Sequence, residues 1–420
     1  MNYQPAHFKR LPDPATLRGI GESLHFAADF KPVEVAPGVH WMAAGSNSAW
    51  IDTPEGVVMV DAGFNRPDVV AAMRSTTNKP VRYVVYTHGH EDHVFNETRF
   101  AEISTAETQV VAHALVPERL SKYEILQPHI RRTNRVQFHL PPQAEVRDVK
   151  YRYPDVTYWD AMALTPGRRI ELFHGRGETD DATVVWVPDA RVVFAGDFLI
   201  SSLPNLGNPY KVPRYCRGWY ETLERIRDLQ PEAVAPGHGM GLVRGADARQ
   251  CLDDTIRALR YLHDEVVRRL NEGETAAQMI NEIHLPPELE DSPYLRQVYS
   301  RVEFAVMEIQ RGYTGWYDGD PADLFPHRRD IVATELRRLV GDDAAILKRA
   351  DALWQQGMRA EGLELLQVVL RADSENAAAR RQRLAWMETL LTEDRCLMSR
   401  GVWFAFADED RAALEAGANR

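Results

Sequence analysis

Cysteine is scarce: the 420 residues hold three, Cys216, Cys251 and Cys396, far apart and odd in number. That excludes a disulfide framework and a thiolate metal site, and buried or reduced thiols are expected. No apolar run approaches the ~20 residues that a membrane span needs. The opening residues, Met1-Asn2-Tyr3-Gln4-Pro5, lack the basic and apolar regions of a secretion signal, so a cytoplasmic protein is expected. Positive charge is in deficit, with 50 Lys and Arg against 61 Asp and Glu and a net charge of −11. The basic residues are scattered, which argues against a nucleic-acid backbone as partner. There is no Gly-x-Ser-x-Gly elbow and no phosphate-cradling loop, so neither a serine hydrolase nor a nucleotide-driven reaction is supported.

What is present is histidine and carboxylate, concentrated at one place. Thr87-His88-Gly89-His90-Glu91-Asp92-His93 packs three imidazoles and two carboxylates together. It follows Val81-Arg82-Tyr83-Val84-Val85-Tyr86, a β-branched and aromatic run that reads as a buried strand. His88 and His90 are two apart, so in extended chain their side chains leave on the same side. Asp92 and His93 follow the turn and face a second point nearby. Neutral imidazoles with a carboxylate suit zinc or another first-row metal.

Three later stretches repeat one pattern of apolar strand, glycine and metal-ligand residue. Ile170-Glu171-Leu172-Phe173 leads to His174 and Gly177-Glu178-Thr179-Asp180-Asp181. Arg191-Val192-Val193-Phe194-Ala195 leads to Gly196-Asp197, and Glu232-Ala233-Val234-Ala235 leads to Pro236-Gly237-His238. Glycine lets the backbone turn sharply enough for the following side chain to reach a common point. Upstream, Ala49–Asp52 and Val57–Val60 read as a hairpin about Thr53-Pro54-Glu55-Gly56, ending in Asp61-Ala62-Gly63.

His-x-His-x-Asp-His with these later motifs resembles the metallo-β-lactamase superfamily. The resemblance implies an αββα sandwich, an α/β fold, and a dinuclear hydrolytic centre. It assigns His88, His90 and Glu178 to one metal, Asp92, His93 and His238 to the other, and Asp197 between them. Asp61 and His174 are expected to brace these ligands, and Asp180 and Asp181 to brace loops or cap the next segment. Two Zn2+ are expected, with manganese or iron equally compatible with the donors. Two cations ~3.5–4 Å apart bring the pKa of a shared water to about 7, and Asp92 is placed to accept a proton as the resulting hydroxide attacks. Most members have histidine where this chain has Glu178. Alkylsulfatases of the superfamily use a carboxylate there, and the added negative charge predicts absent or weak turnover of penicillins.

The C-terminal half turns helical. Leu252, Ile256, Leu259, Val266 and Leu270 recur at helical spacing, with Gly273 as C-terminal stop. Further helices are predicted at about 342–357, 359–372 and 376–391. Val302-Glu303-Phe304 through Gly315-Trp316-Tyr317-Asp318-Gly319-Asp320-Pro321 resembles the dimerisation domain of alkylsulfatases. The expected organisation is an N-terminal extension over 1–32, a catalytic domain over 33–245 and an all-α dimerisation domain over 246–420. The resemblance implies hydrolysis of alkyl sulfate esters by a homodimer, with another ester, such as a lactone, thioester or phosphoester, as the alternative. Around Asn205, the position of the family's anion-binding arginine carries Tyr210 or Lys211, so Lys211 or Arg214 is expected to serve instead. Residues 113–160 read as a long loop holding Arg131, Arg132, Arg135, Tyr151, Tyr153, Tyr158 and Trp159, either a lid or an ordinary packed loop.

Overall fold

A computed structural model describes residues 24–141, 149–239 and 241–418. Cα proximity divides these into two compact units, one of residues 24–314 with 396–398, the other of 315–395 with 399–418.

The first unit is built on two sheets. In the first, β1 (Val33–Ala36), β2 (Val39–Met42), β3 (Ser48–Thr53) and β4 (Gly56–Val60) run antiparallel, and β5 (Val81–Val85), β6 (Gln109–His113) and β7 (Val156–Tyr158) continue in parallel. The second holds β8 (Ala161–Leu164), β9 (Ile170–Gly175), β10 (Ala182–Val187), β11 (Val192–Phe194), β12 (Ala233–Ala235) and β13 (Val243–Arg244) in that order, with β11 and β12 parallel.

The two-residue period of a strand sends alternate side chains to opposite faces. Val58 and Val60 of β4 join Val185, Val187 and Phe194 in a shared core between the sheets. Val57 and Met59 point outward to a core shared with helices α1 (Pro67–Thr76), α2 (Glu97–Ile103) and α3 (Val116–Gln137). On the far side, Val184 and Trp186 pack on Trp219, Leu223, Leu252 and Leu259 of α4 (Cys216–Asp228) and α5 (Gly245–Asn271). The layers are thus helix, sheet, sheet, helix, as expected from the sequence. Gly273, with φ +88°, ends α5. The unit closes with two single turns, α6 (Ala276–Met279) and α7 (Pro287–Glu290), and α8 (Val302–Tyr313).

The second unit is helical: α9 (Arg329–Val340), α10 (Asp343–Gln355), α11 (Arg359–Ala372), α12 (Ala377–Glu393) and most of α13 (Leu397–Ala418). Trp354 and Trp386 stack at 4.4 Å in its core. Among the described residues no helix is long and apolar enough to cross a membrane.

One expectation needs correcting. Residues 116–137, read as loop, form the 22-residue helix α3. Its only buried positions are Val116, Leu120 and Gln137, and Pro128 interrupts it, so no apolar stripe marks it in the sequence.

Candidate metal centre

The ends of β4, β5, β9, β11 and β12 deliver the site. Asp61 follows β4, the histidine cluster follows β5, and Glu178, Asp197 and His238 follow β9, β11 and β12. His88, His90, Glu178 and Asp197 bring one ligand atom each within 4.8 Å of one another, and so do Asp92, His93 and His238. Asp197 reaches both groups, at 3.8 Å from His88 Nε2, 3.4 Å from His93 Nε2 and 3.3 Å from His238 Nε2.

The donors fit cations. His88 Nε2 lies 2.8 Å from His90 Nδ1, and the Nε2 atoms of His93 and His238 lie 3.2 Å apart. Such spacings are near the roughly 3.3 Å edge of a tetrahedron with 2.0–2.1 Å metal–nitrogen bonds. Glu178 Oε2 and Asp197 Oδ1 are buried with no hydrogen-bond donor among the described residues. A buried carboxylate oxygen without a partner is costly, and a cation satisfies it. Burial, reinforced by neighbouring cationic groups, keeps His88 and His90 neutral, the form a metal takes. At His93, Asp197, Asp92 and Asp61 overcome burial and raise the pKa to about 9. Asp197 and Asp92 likewise raise His238 against its burial. Burial pushes Asp92 up, but His93 and His238 hold it well below the usual carboxylate range. The carboxylates therefore demand positive charge at their centre.

Supporting groups hold this arrangement. Asp61 accepts from Thr87 N–H at 2.7 Å and from Thr87 Oγ1 at 2.6 Å, and it lies 2.8 Å from His93 Nδ1. His238 Nδ1 donates to Gly45 O at 2.6 Å, which leaves Nε2 for the centre. Asn47 Nδ2 donates to Pro236 O and Gly239 O, clamping the His238 loop from both sides. A Cβ on Gly237 would sit 2.0 Å from Asp197 Oδ1, so only glycine allows the two loops to meet. Asp181 is buried, accepts from Arg119 Nε at 2.7 Å and lies against Gly89, while Asp180 pairs with the same arginine. His174 stacks on His113 at 3.9 Å, and its Nδ1 donates to Ala182 O. No hydrogen bond joins it to the seven ligand-type residues among the described residues.

The loop after Asp197 separates the two cations that the sequence left open. Arg214 Nη1 is bound to Glu178 Oε1 and to Asn205 O. Among the described residues Lys211 Nζ has one hydrogen bond, to Asn134 Oδ1 at 3.4 Å. Asn205 is buried, its Oδ1 accepts from Gly207 N–H, and its Nδ2 has no acceptor among the described residues.

Sequence reasoning missed four contributors. His25, from the stretch read as an extension, stacks on His238 at 4.2 Å and on Tyr299 at 3.5 Å. Phe26, Phe138 and Tyr299 line the cavity over the centre. Isolated aromatics with no motif around them carried no signal.

Residues 42–238 match the model of the metallo-beta-lactamase superfamily. Residues 275–413 match the alkyl sulfatase dimerisation model. The chain is 28% identical over 358 residues to a linear primary-alkylsulfatase of a Pseudomonas strain, covering 79% of this chain and 67% of that one. It is 22% identical over 375 residues to an alkyl/aryl-sulfatase of Saccharomyces cerevisiae, covering 80% and 56%. A stereoselective inverting sec-alkylsulfatase from Pseudomonas superposes with a TM-score of 0.79 at 23% identity, covering 91% of this chain and 66% of that one. That likeness supports the fold. This chain thus spans between about half and two thirds of the lengths of these relatives.

Proposed function

We propose that the chain is a dinuclear zinc hydrolase that cleaves sulfate esters of an alkyl chain. The observation that carries this reading is the convergence of seven ligand-type side chains from four strand ends, two of whose buried oxygens have no donor among the described residues. His88, His90 and Glu178 would hold one metal, Asp92, His93 and His238 the other, with Asp197 shared. A pair of cations there supplies Lewis acidity and a water acidic enough to be a nucleophile at neutral pH. Asp92, which lines the cavity, would accept the proton of such a water.

The ester's anionic head needs a cation and donors. Arg214 is committed to Glu178 and fixes which of its oxygens faces the metals. Lys211 is therefore the anchor for the anion, with Asn205 Nδ2 as a further donor. The first unit, 24–314, holds the catalytic part, and the helical second unit pairs two subunits. Trp316, Phe325 and Leu339 support the pairing, since they are 70%, 77% and 83% exposed in the second unit. The three cysteines are buried and form no disulfide among the described residues, which suits a reducing compartment such as the cytoplasm.

The test is release of inorganic sulfate from dodecyl sulfate by the purified protein. Release supports the sulfatase. Turnover of a carboxylic, lactone or phosphate ester without sulfate release would move the same centre to the alternative class.

A further inference from the structure

The cavity above the centre is small and ringed by aromatic side chains from separate parts of the chain. Its volume is about 250 Å3. That is room for an acid head and a compact organic group beside it, and the cavity is open to solvent on one side. Phe26 is the hub, with ring centroids 5.7 Å from Phe64, 5.9 Å from Phe138 and 5.9 Å from Tyr299. The Phe26–Phe138 and Phe26–Tyr299 pairs stand edge to face. Ile130 of α3 completes this apolar lining, and Lys211 borders the same cavity.

Phe64 is set in place at an energetic cost. Its backbone lies in the left-handed region, φ 54° and ψ 21°, where a bulky side chain is rare. Its N–H donates to Asp92 O at 2.9 Å, tying the strained turn to the metal loop. The ring that this turn presents is still 39% exposed. Strain retained for a ring that the fold does not bury points to a ligand.

We infer that Phe26, Phe64 and Phe138 form a clamp for an organic group carrying one aromatic ring, next to the anion held at Lys211. This rests on the ester-hydrolase reading and specifies its substrate: compact arylalkyl sulfate esters ahead of flexible linear ones. A rigid ring gains edge-to-face contacts in such a cage and loses less conformational freedom than an alkyl chain of equal carbon count.

Calorimetry on the zinc-loaded protein tests it with phenethyl sulfonate and n-octyl sulfonate, equal in carbon number and lacking the ester oxygen. Phenethyl sulfonate is expected to bind about three- to tenfold tighter. Phe64→Leu keeps apolar bulk but removes the ring, and should bring the ratio to about one. Equal or tighter binding of the octyl compound by the unaltered protein overturns the clamp. So does a Phe64→Leu variant that weakens both ligands alike. Should Phe64→Leu not fold by circular dichroism, Phe138→Leu is read by the same criterion. Because neither ligand is cleaved, the result stands apart from the sulfate-release assay. Absence of hydrolysis with a retained ring preference faults the ester reading alone, and hydrolysis without the preference faults the clamp alone.

Discussion

Lys211 and Arg214 stand three positions apart on one loop, yet they do different things. Arg214 spends its guanidinium on Glu178 and the Asn205 carbonyl, while Lys211 projects its ammonium toward the cavity with one long contact to Asn134. A charge-assisted hydrogen bond is worth about 1.5–3 kcal/mol. Lys211→Ala should therefore raise KM for a sulfate ester by about ten- to a hundredfold, with a smaller change in kcat, measured by steady-state kinetics. Loss of kcat with KM unchanged would place Lys211 in the chemistry instead. Glu178 shows the same division between its two oxygens, one paired to Arg214 and one buried without a donor among the described residues. The residue types at these positions were readable from the sequence because metal ligands come from a short menu and follow glycine. The division of labour between two nearby cations was not, because it depends on which one the folded loop brings to Glu178.

At the scale of elements, the sites delivered by strands were legible and those delivered by helices and turns were not. A buried strand shows as an apolar run, and a ligand at its end stands out against it. The helix α3 buries few apolar residues, so its contribution of Ile130 and Asn134 to the cavity was hidden. His25 and Phe26 come from a 3-10 turn, which has no periodicity to read. Two predictions belong here. Asp410 of α13 is fully buried, accepting from Arg380 Nη1 at 2.8 Å and from Arg383 Nε at 2.8 Å, both arginines on α12. Asp410→Ala leaves two mostly buried guanidinium groups with the exposed Glu409 as their remaining carboxylate, for an expected loss of about 2–3 kcal/mol, read as a lower melting temperature. His113, at the end of β6, is pressed against His174, and its neighbouring acids Asp181 and Asp180 only partly compensate. Burial first, then His174, lower its pKa from 6.5 to about 4. The unfolded chain therefore takes up this proton before the folded one. Its contribution to stability is complete above about pH 6.5 and falls as pH drops toward 4. His113→Phe should flatten the decline in melting temperature across that window, and an unchanged slope would remove His113 as its source.

At the scale of the whole molecule, the fold class and the helical C-terminal half were evident from strand-ligand and helix patterns. The second unit's exposed apolar residues were not, because an apolar residue in a sequence does not say which side of its helix is covered. Light scattering on dilute protein should give the mass of two chains, and replacing Phe325 and Leu339 with serine should shift it toward one. A monomer in the unaltered protein would remove the pairing. The net charge of −11 fits a small-molecule substrate concentrated by a local cation rather than by the field of the whole surface. The centre itself is tested most directly by titrating zinc into metal-stripped protein while following sulfate released from dodecyl sulfate. Release should climb with added zinc and level off at two zinc ions per chain; no release at any loading, or full release from the stripped protein, would contradict a hydrolytic pair of metals at these seven residues.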